Sequence, residues 1–193
     1  MLRPKRPEPE LRYQRVSLKP LWVLDNIAWK KVHRHFKDKE IAYLNGTPPT
    51  RMPLWMLRRI LKTDAKRPDR LTYGIFDDAV ANYIGTIELY DLGYTSATLG
   101  IIIGEKEYWG RGFGSEAIHA LLDYAFGRLH LEKVRLHTFE DNLRARASFR
   151  NIGFVETMRR RNHKGRVNIF MEMHASTWQK LSEQPPVWHV NAR

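Results

Sequence analysis

YWGRGFGSEA, residues 108–117, follows the apolar run LGIIIG (99–104) and leads into a helix-like pattern. After it, Ala117, Ile118, Leu121, Leu122, Ala125, Phe126 and Leu129 recur at helical spacing. Three glycines at this junction suit a tight strand-to-helix turn. They also suit an anion receptor. Consecutive backbone N–H groups converge at such a bend, and the helix N-terminus adds positive potential. Glycine lets the backbone approach an oxygen closely. Arg111 supplies a fixed charge, Ser115 and Glu116 fall in the first turn, and several amides fit a diphosphate better than a monophosphate. The loop is not a Walker motif, because no Gly-Lys-Ser/Thr follows, and it lacks the spacing of the dinucleotide fingerprint.

The flanking pattern alternates strands with helices. LRYQRVSL (11–18) alternates as one strand. Pro20 opens a helical run in which Leu21, Leu24, Ile27, Ala28, Val32 and Phe36 share a face. KEIAYLNGTPPT (39–50) predicts a loop. RMPLWMLRRILKTDAK (51–66) predicts a helix laid on a core, with Pro53 in its first turn. LTYGIF (71–76) and NYIGTIELY (82–90) form a hairpin around residues 77–80, and TSATLGIIIG (95–104) is a third strand. KVRLHTF (133–139), a short helix ending at Gly153-Phe154, a hairpin through NHKG and a brief helix at 177–181 complete the order. This is one mixed α/β domain over residues 11–182, between a flexible basic arm (1–10) and a peripheral tail (183–193).

Composition narrows the function classes. A chain of 193 residues, 42% hydrophobic, buries a core as a single domain. No stretch approaches the roughly 20 apolar residues of a membrane span. The proline-rich start has no apolar signal core, which sets a cytoplasmic expectation. The absence of cysteine excludes disulfides, cysteine-based zinc sites and a cysteine acyl-enzyme. The eight histidines show no metal-ligand spacing; His33 and His35, two apart, point to different helix faces. A net charge of +12 attracts polyanions: nucleic acid, ribosome, acidic protein or a phosphorylated cofactor.

Two downstream segments turn the glycine loop into a specific signal. It resembles the cofactor loop of the GNAT superfamily, the acetyl-CoA-dependent N-acetyltransferases, whose pattern is Gln/Arg-x-x-Gly-x-Gly/Ala. Gly112 and Gly114 match the glycines, while Trp109 departs from the first position. The family's Asn-x-x-Ser/Ala followed by Gly-Phe is met by Asn142, Ala145 and Gly153-Phe154. The loop looks most like the branch of ribosomal-protein alanine N-acetyltransferases. The resemblance implies a mostly antiparallel sheet splayed between two parallel strands and flanked by helices. It implies that the backbone of Trp109, Gly110, Arg111, Gly112, Phe113 and Gly114, with Ser115, cradles the CoA pyrophosphate. The strand edge at Ile102, Ile103 and Gly104 would then pair with the pantetheine arm, helped by Asn142.

Acetyl transfer to an amine needs few protein groups, because the thioester is already activated. Glu88, a lone carboxylate in the apolar strand IGTIELY, is the candidate base, with Asp91 and His137 as alternatives. Many relatives carry tyrosine where Phe149 stands and some carry serine at Ala145; neither residue here donates a proton. Ser148 is expected on a different helical face. The acceptor frame would draw on Tyr43, Asn45, Trp55 and the hairpin around Asn162–Arg166, with the Arg159-Arg160-Arg161 run beside it. The expected acceptor is a primary amine, on a protein N-terminus, a ribosomal protein or a small molecule, and the expected state is a monomer or homodimer. Two alternatives stay open: a CoA-binding module without catalysis, and a nucleic-acid-binding domain motivated by charge alone.

Overall fold

A computed structural model describes residues 10–183, so nearly all of the expected arm and tail lies outside the described residues. Eight strands form one sheet in the order β1-β2-β3-β4-β5-β6-β8-β7. The first expected strand is in fact a hairpin of β1 (Leu11–Tyr13) and β2 (Val16–Pro20), because Gln14 turns the chain at φ 48°. β3 (Leu71–Asp77), β4 (Asn82–Tyr90) and β5 (Ser96–Ile103) continue it antiparallel. β6 (Lys133–Phe139) lies parallel to β5, and β7 (Val155–Arg161) and β8 (Val167–His174) close the sheet.

Two of the helical expectations near the N-terminus need correction. The run from Pro20 begins as a single tight turn, and α1 (Asn26–Lys37) starts only after Asp25, whose carboxylate accepts the Ala28 N–H at 2.7 Å. That cap shifts the register, so Ile27 points to solvent at 68% exposure while Trp29 is fully buried. The predicted loop holds α2 (Lys39–Leu44), capped by Asp38 through the N–H groups of Glu40 and Ile41. A six-residue helix is too short to show a hydrophobic period, and Asn45-Gly46 masked it. Pro53 precedes α3 (Leu54–Asp64) as its cap residue.

Opposite faces of the sheet carry different layers. On one, α4 (Phe113–Asp123) and α5 (Leu143–Ile152) pack on a continuous core that includes Ile87, Leu99, Val134 and Leu136. On the other, α1 and α3 cover only the β3–β4 half, over Leu24, Trp29, Val32, Leu57 and Tyr83. The β5–β6 half of that second face stays open: Gly100 is half-buried and His137 exposed. α6 (Ala175–Ser182) docks Trp178 at the edge of the first layer, its indole N–H donating to Asp123 at 3.0 Å.

Glu156 on β7 collects Arg146, Arg150 and Arg159 into one ionic cluster. Burial opposes its ionisation, yet hydrogen bonds from the three guanidinium groups prevail and hold its pKa at about 2. A depressed carboxylate stabilises the fold above its unfolded pKa of 4.5, and this contribution disappears as pH falls toward 2. E156Q therefore loses about 1–3 kcal/mol at neutral pH, and the deficit shrinks below pH 4.5 and is gone only as pH passes through about 2, as read by denaturant titration.

Candidate active site

β5 and β6 are hydrogen-bonded only at Ser96–Thr98 against Lys133–Arg135. Beyond that point β5 keeps its antiparallel partner β4 as far as Ile103, and β6 keeps β8 as far as Phe139. The two parallel strands thus diverge, leaving unpaired main-chain edges from Leu99 and Leu136 onward. β4 carries one extra residue against β3, Ile84, whose carbonyl accepts the N–H groups of both Gly104 and Glu105. Next to it, a Cβ on Gly85 would stand 2.1 Å from the Ile102 carbonyl oxygen, so only glycine permits this approach.

A cavity of about 510 Å³ fills the wedge. At one end it meets Gly110, Gly112, Gly114 and Ser115; at the other it meets Ile41, Leu44 and Asn45 of the α2 region. Gly110 and Gly112 have φ of 73° and 89°, and Gly112 caps α4 without a side-chain hydrogen bond. The first N–H groups of α4 are therefore left for a ligand. Arg15, from the β1–β2 turn, braces the loop: it pairs with buried Glu116 and donates to the Arg111 carbonyl at 3.0 Å.

The other expected cofactor residues divide. Ile102, Ile103, Trp109 and Asn142 line the cavity. The Trp109 indole N–H donates to the Ile103 carbonyl at 2.7 Å, so this oxygen is already shared within the protein. Asn142 uses its side-chain oxygen to cap α5 at the Ala145 N–H (3.3 Å), which leaves its amide nitrogen free to donate. Gly104, Arg111 and Phe113 are not among the residues that line the cavity. Gly104 abuts the His35 ring, Phe113 is buried in the core, and Arg111 lies over the Tyr108 and Phe113 rings. For Arg111 and Phe113, only the backbone faces the bend.

Ser148 is a correction. Its hydroxyl lies 3.0 Å from that of Ser115 and both line the cavity, because α5 presents Asn142, Ala145, Ser148 and Phe149 on one side. Arg144 was missed by the sequence reading. It lies 3.7 Å above the Trp109 ring, lines the cavity and forms no salt bridge among the described residues. Burial lowers its pKa, and only its place two residues after Asn142 could have singled it out. The buried pair His35–Glu105 (2.6 Å), stacked on Tyr83, was also missed, because its partners come from α1 and the end of β5.

Of the acceptor candidates, Asn45 lines the cavity and Tyr43 is not among its lining residues. The Tyr43 hydroxyl donates to Asp141 at 2.6 Å; Arg166 donates to Asp141 at 2.8 Å and to the Tyr43 carbonyl at 2.7 Å. The guanidinium also lies 3.5 Å over the Phe139 ring. One arginine thus fastens α2, the β6–α5 turn and the β7–β8 hairpin together. Trp55 sits on α3 at 64% exposure, away from the cavity wall.

Glu88 stands on β4 outside the cavity wall, paired with Arg70 at 2.9 Å and near Thr72. Burial raises its pKa, and the Arg70 charge opposes the shift only in part. His137 lines the cavity, and partial desolvation lowers its pKa. Asp91 occupies a turn after β4 with φ 49°, exposed to solvent.

A splayed parallel pair, a glycine bend and an uncapped helix N-terminus define a receptor for a long ligand with a phosphorylated end. Comparison with known proteins gives the same class: a family profile described as "Acetyltransferase (GNAT) domain" matches residues 15–155, and the chain belongs to that family. Spermidine N(1)-acetyltransferase of Vibrio cholerae is 39% identical over 84 residues, which is 42% of this chain and 48% of that enzyme. The crystal structure of spermidine N-acetyltransferase from Vibrio cholerae in complex with CoA and spermine has a TM-score of 0.75 at 24% identity, covering 86% and 99% of the two chains. A GCN5-related N-acetyltransferase from Brucella melitensis has a TM-score of 0.74 at 20% identity, covering 93% and 84%. The two Vibrio cholerae relatives carry spermidine in their names where the sequence reading leaned to the ribosomal-protein alanine branch. Among the described residues, no helix is long and apolar enough to cross a membrane.

Proposed function

We propose that the protein transfers an acetyl group from acetyl-CoA to a primary amine, by direct attack in a ternary complex. The observation that carries this reading is the loss of β5–β6 pairing after Thr98 and Arg135, which opens a wedge running to the α4 N-terminus. Main-chain edges inside the wedge suit the amide groups of a pantetheine arm, and the glycine bend suits its diphosphate. Bound acetyl-CoA supplies an activated thioester carbon, so the protein has to deliver a neutral amine and accept its proton. Glu88 is the proposed base, since a carboxylate with a raised pKa takes a proton more readily near neutrality. The Ser115–Ser148 hydroxyl pair lines the same cavity as Phe149 and Ala145, which offer no donor.

The Vibrio cholerae relatives support a small polyamine-like acceptor. A second reading, a protein N-terminus, is favoured by the net charge of +12, which repels free polyamines. Thiol release measured with spermidine, simple alkylamines and N-terminal-alanine peptides tests both. Tight CoA binding with no thiol release across the whole panel would refute transfer and leave a CoA-binding module. The Arg166 fastening gives a further expectation. R166A raises the acceptor KM about 10-fold by freeing the α2 wall, with CoA affinity unchanged in calorimetry, since Arg166 stands apart from the glycine bend.

A further inference from the structure

Glu88 and His137 belong to one row across the sheet. Register pairs Glu88 with Gly100 on β5, and His137 with Phe170 on β8. The last β5–β6 pair is Thr98 with Arg135; two residues further on, the same register sets Gly100 against His137. Side chains two apart on a strand share a face, so this row points to the open face that α1 and α3 leave uncovered. Gly100 contributes no side chain, and the strands part here. With β4 and β5 paired about 4.8 Å apart and β5 and β6 already parting, the Glu88 and His137 backbones stand on either side of Gly100, more than about 10 Å apart.

The two carboxylate oxygens of Glu88 differ. Oε2 faces Arg70 Nη1 (2.9 Å) and Thr72 (3.4 Å), and Asp64 shares the same Arg70 nitrogen at 2.8 Å. Oε1 is the oxygen turned toward the gap, 3.3 Å from where a Cβ on residue 100 would stand. Across the gap, His137 rests its ring against Phe170, at 5.8 Å between centroids, and forms part of the cavity wall.

We propose that the acceptor nitrogen is seated over Gly100, its two N–H groups accepted by Glu88 Oε1 and by the His137 ring. This inference rests on the acetyltransferase reading and deepens it. Two acceptors for the two hydrogens of a primary amine leave the nitrogen lone pair directed into the wedge. A secondary amine has one hydrogen for two acceptors and leaves one of them unmet. Gly100 and His137 are thus specificity-determining residues for unhindered primary amines, including the terminal nitrogens of a polyamine.

The test uses CoA, a bisubstrate ligand with an alkylamine joined to the CoA sulfur through an acetyl bridge, and turnover with matched primary and N-methyl amines. Wild type is expected to bind the bisubstrate more tightly than CoA and to favour the primary amine about 100-fold in kcat/KM. G100A is expected to lose the extra bisubstrate affinity and about 30-fold in kcat/KM, with the CoA Kd within twofold of wild type. H137A, at an exposed position that tolerates truncation, is expected to narrow the primary-to-secondary preference about 10-fold. A G100A protein with full bisubstrate affinity, or an H137A protein with unchanged amine preference, overturns the inference while the acetyltransferase reading stands. A wild type that binds neither CoA nor the bisubstrate overturns both.

Discussion

G112V is expected to weaken CoA binding by about 100-fold or more in calorimetry, while the thermal unfolding transition survives. Gly112 holds φ 89° at the point where β5 hands over to α4. A residue with a Cβ costs about 1–2 kcal/mol in that region, and a β-branched one crowds it further. The chain would relieve the strain by turning its peptide groups, and the aligned N–H donors at the bend would turn with them. Each hydrogen bond to a charged group contributes about 1.5–3 kcal/mol, so misaligning one of them on top of the strain reaches about 3 kcal/mol. At 1.4 kcal/mol per factor of ten, this is the stated loss. The helix itself stays docked, because the core below Phe113, Ile118 and Leu121 is untouched, although Arg15, 3.3 Å from where the new Cβ would stand, has to shift slightly on Glu116. Undiminished CoA affinity in a folded G112V protein would remove the bend from the ligand site.

E88Q is expected to lower kcat about 100-fold at neutral pH, with little change in stability. Burial lifts the Glu88 pKa, so the fraction ionised, and the rate it supports, rises with pH through that elevated value. The glutamine variant lacks this acidic limb and gives a flatter profile. The linkage sign runs the same way for stability. A carboxylate with a raised folded pKa costs stability above its unfolded pKa of 4.5, so removing its charge brings no penalty of ionisation at neutral pH. Arg70 keeps Asp64 at 2.8 Å when its second partner is neutralised. A variant with wild-type rates from pH 6 to 9 would move the base elsewhere, with His137 next in line.

Much of this was legible in the sequence because the decisive elements are local. The β5–loop–α4 segment announces itself through a continuous apolar run, three glycines and a helical stripe within 31 residues of chain (99–129). The β3–β4 hairpin and β7–β8 hairpin read correctly for the same reason. What escaped notice depends on distance. Nothing in KEIAYL signals a helix until Asp38 is seen capping it, and Ser148 could not be placed on the Ser115 side without the packing of α5 against α4. Arg144, His35 and Glu105 gain their roles from Trp109, Tyr83 and one another, all remote in sequence or on other elements. Sequence patterns mark which face a residue takes; they do not mark which neighbour it meets there.

Arg166 reaches back 123 positions to the carbonyl of Tyr43. During synthesis the anion-binding bend and its helix leave the ribosome well before the final hairpin does. The contact that ties α2 to the β6–α5 turn therefore forms last, once the β7–β8 hairpin is in place.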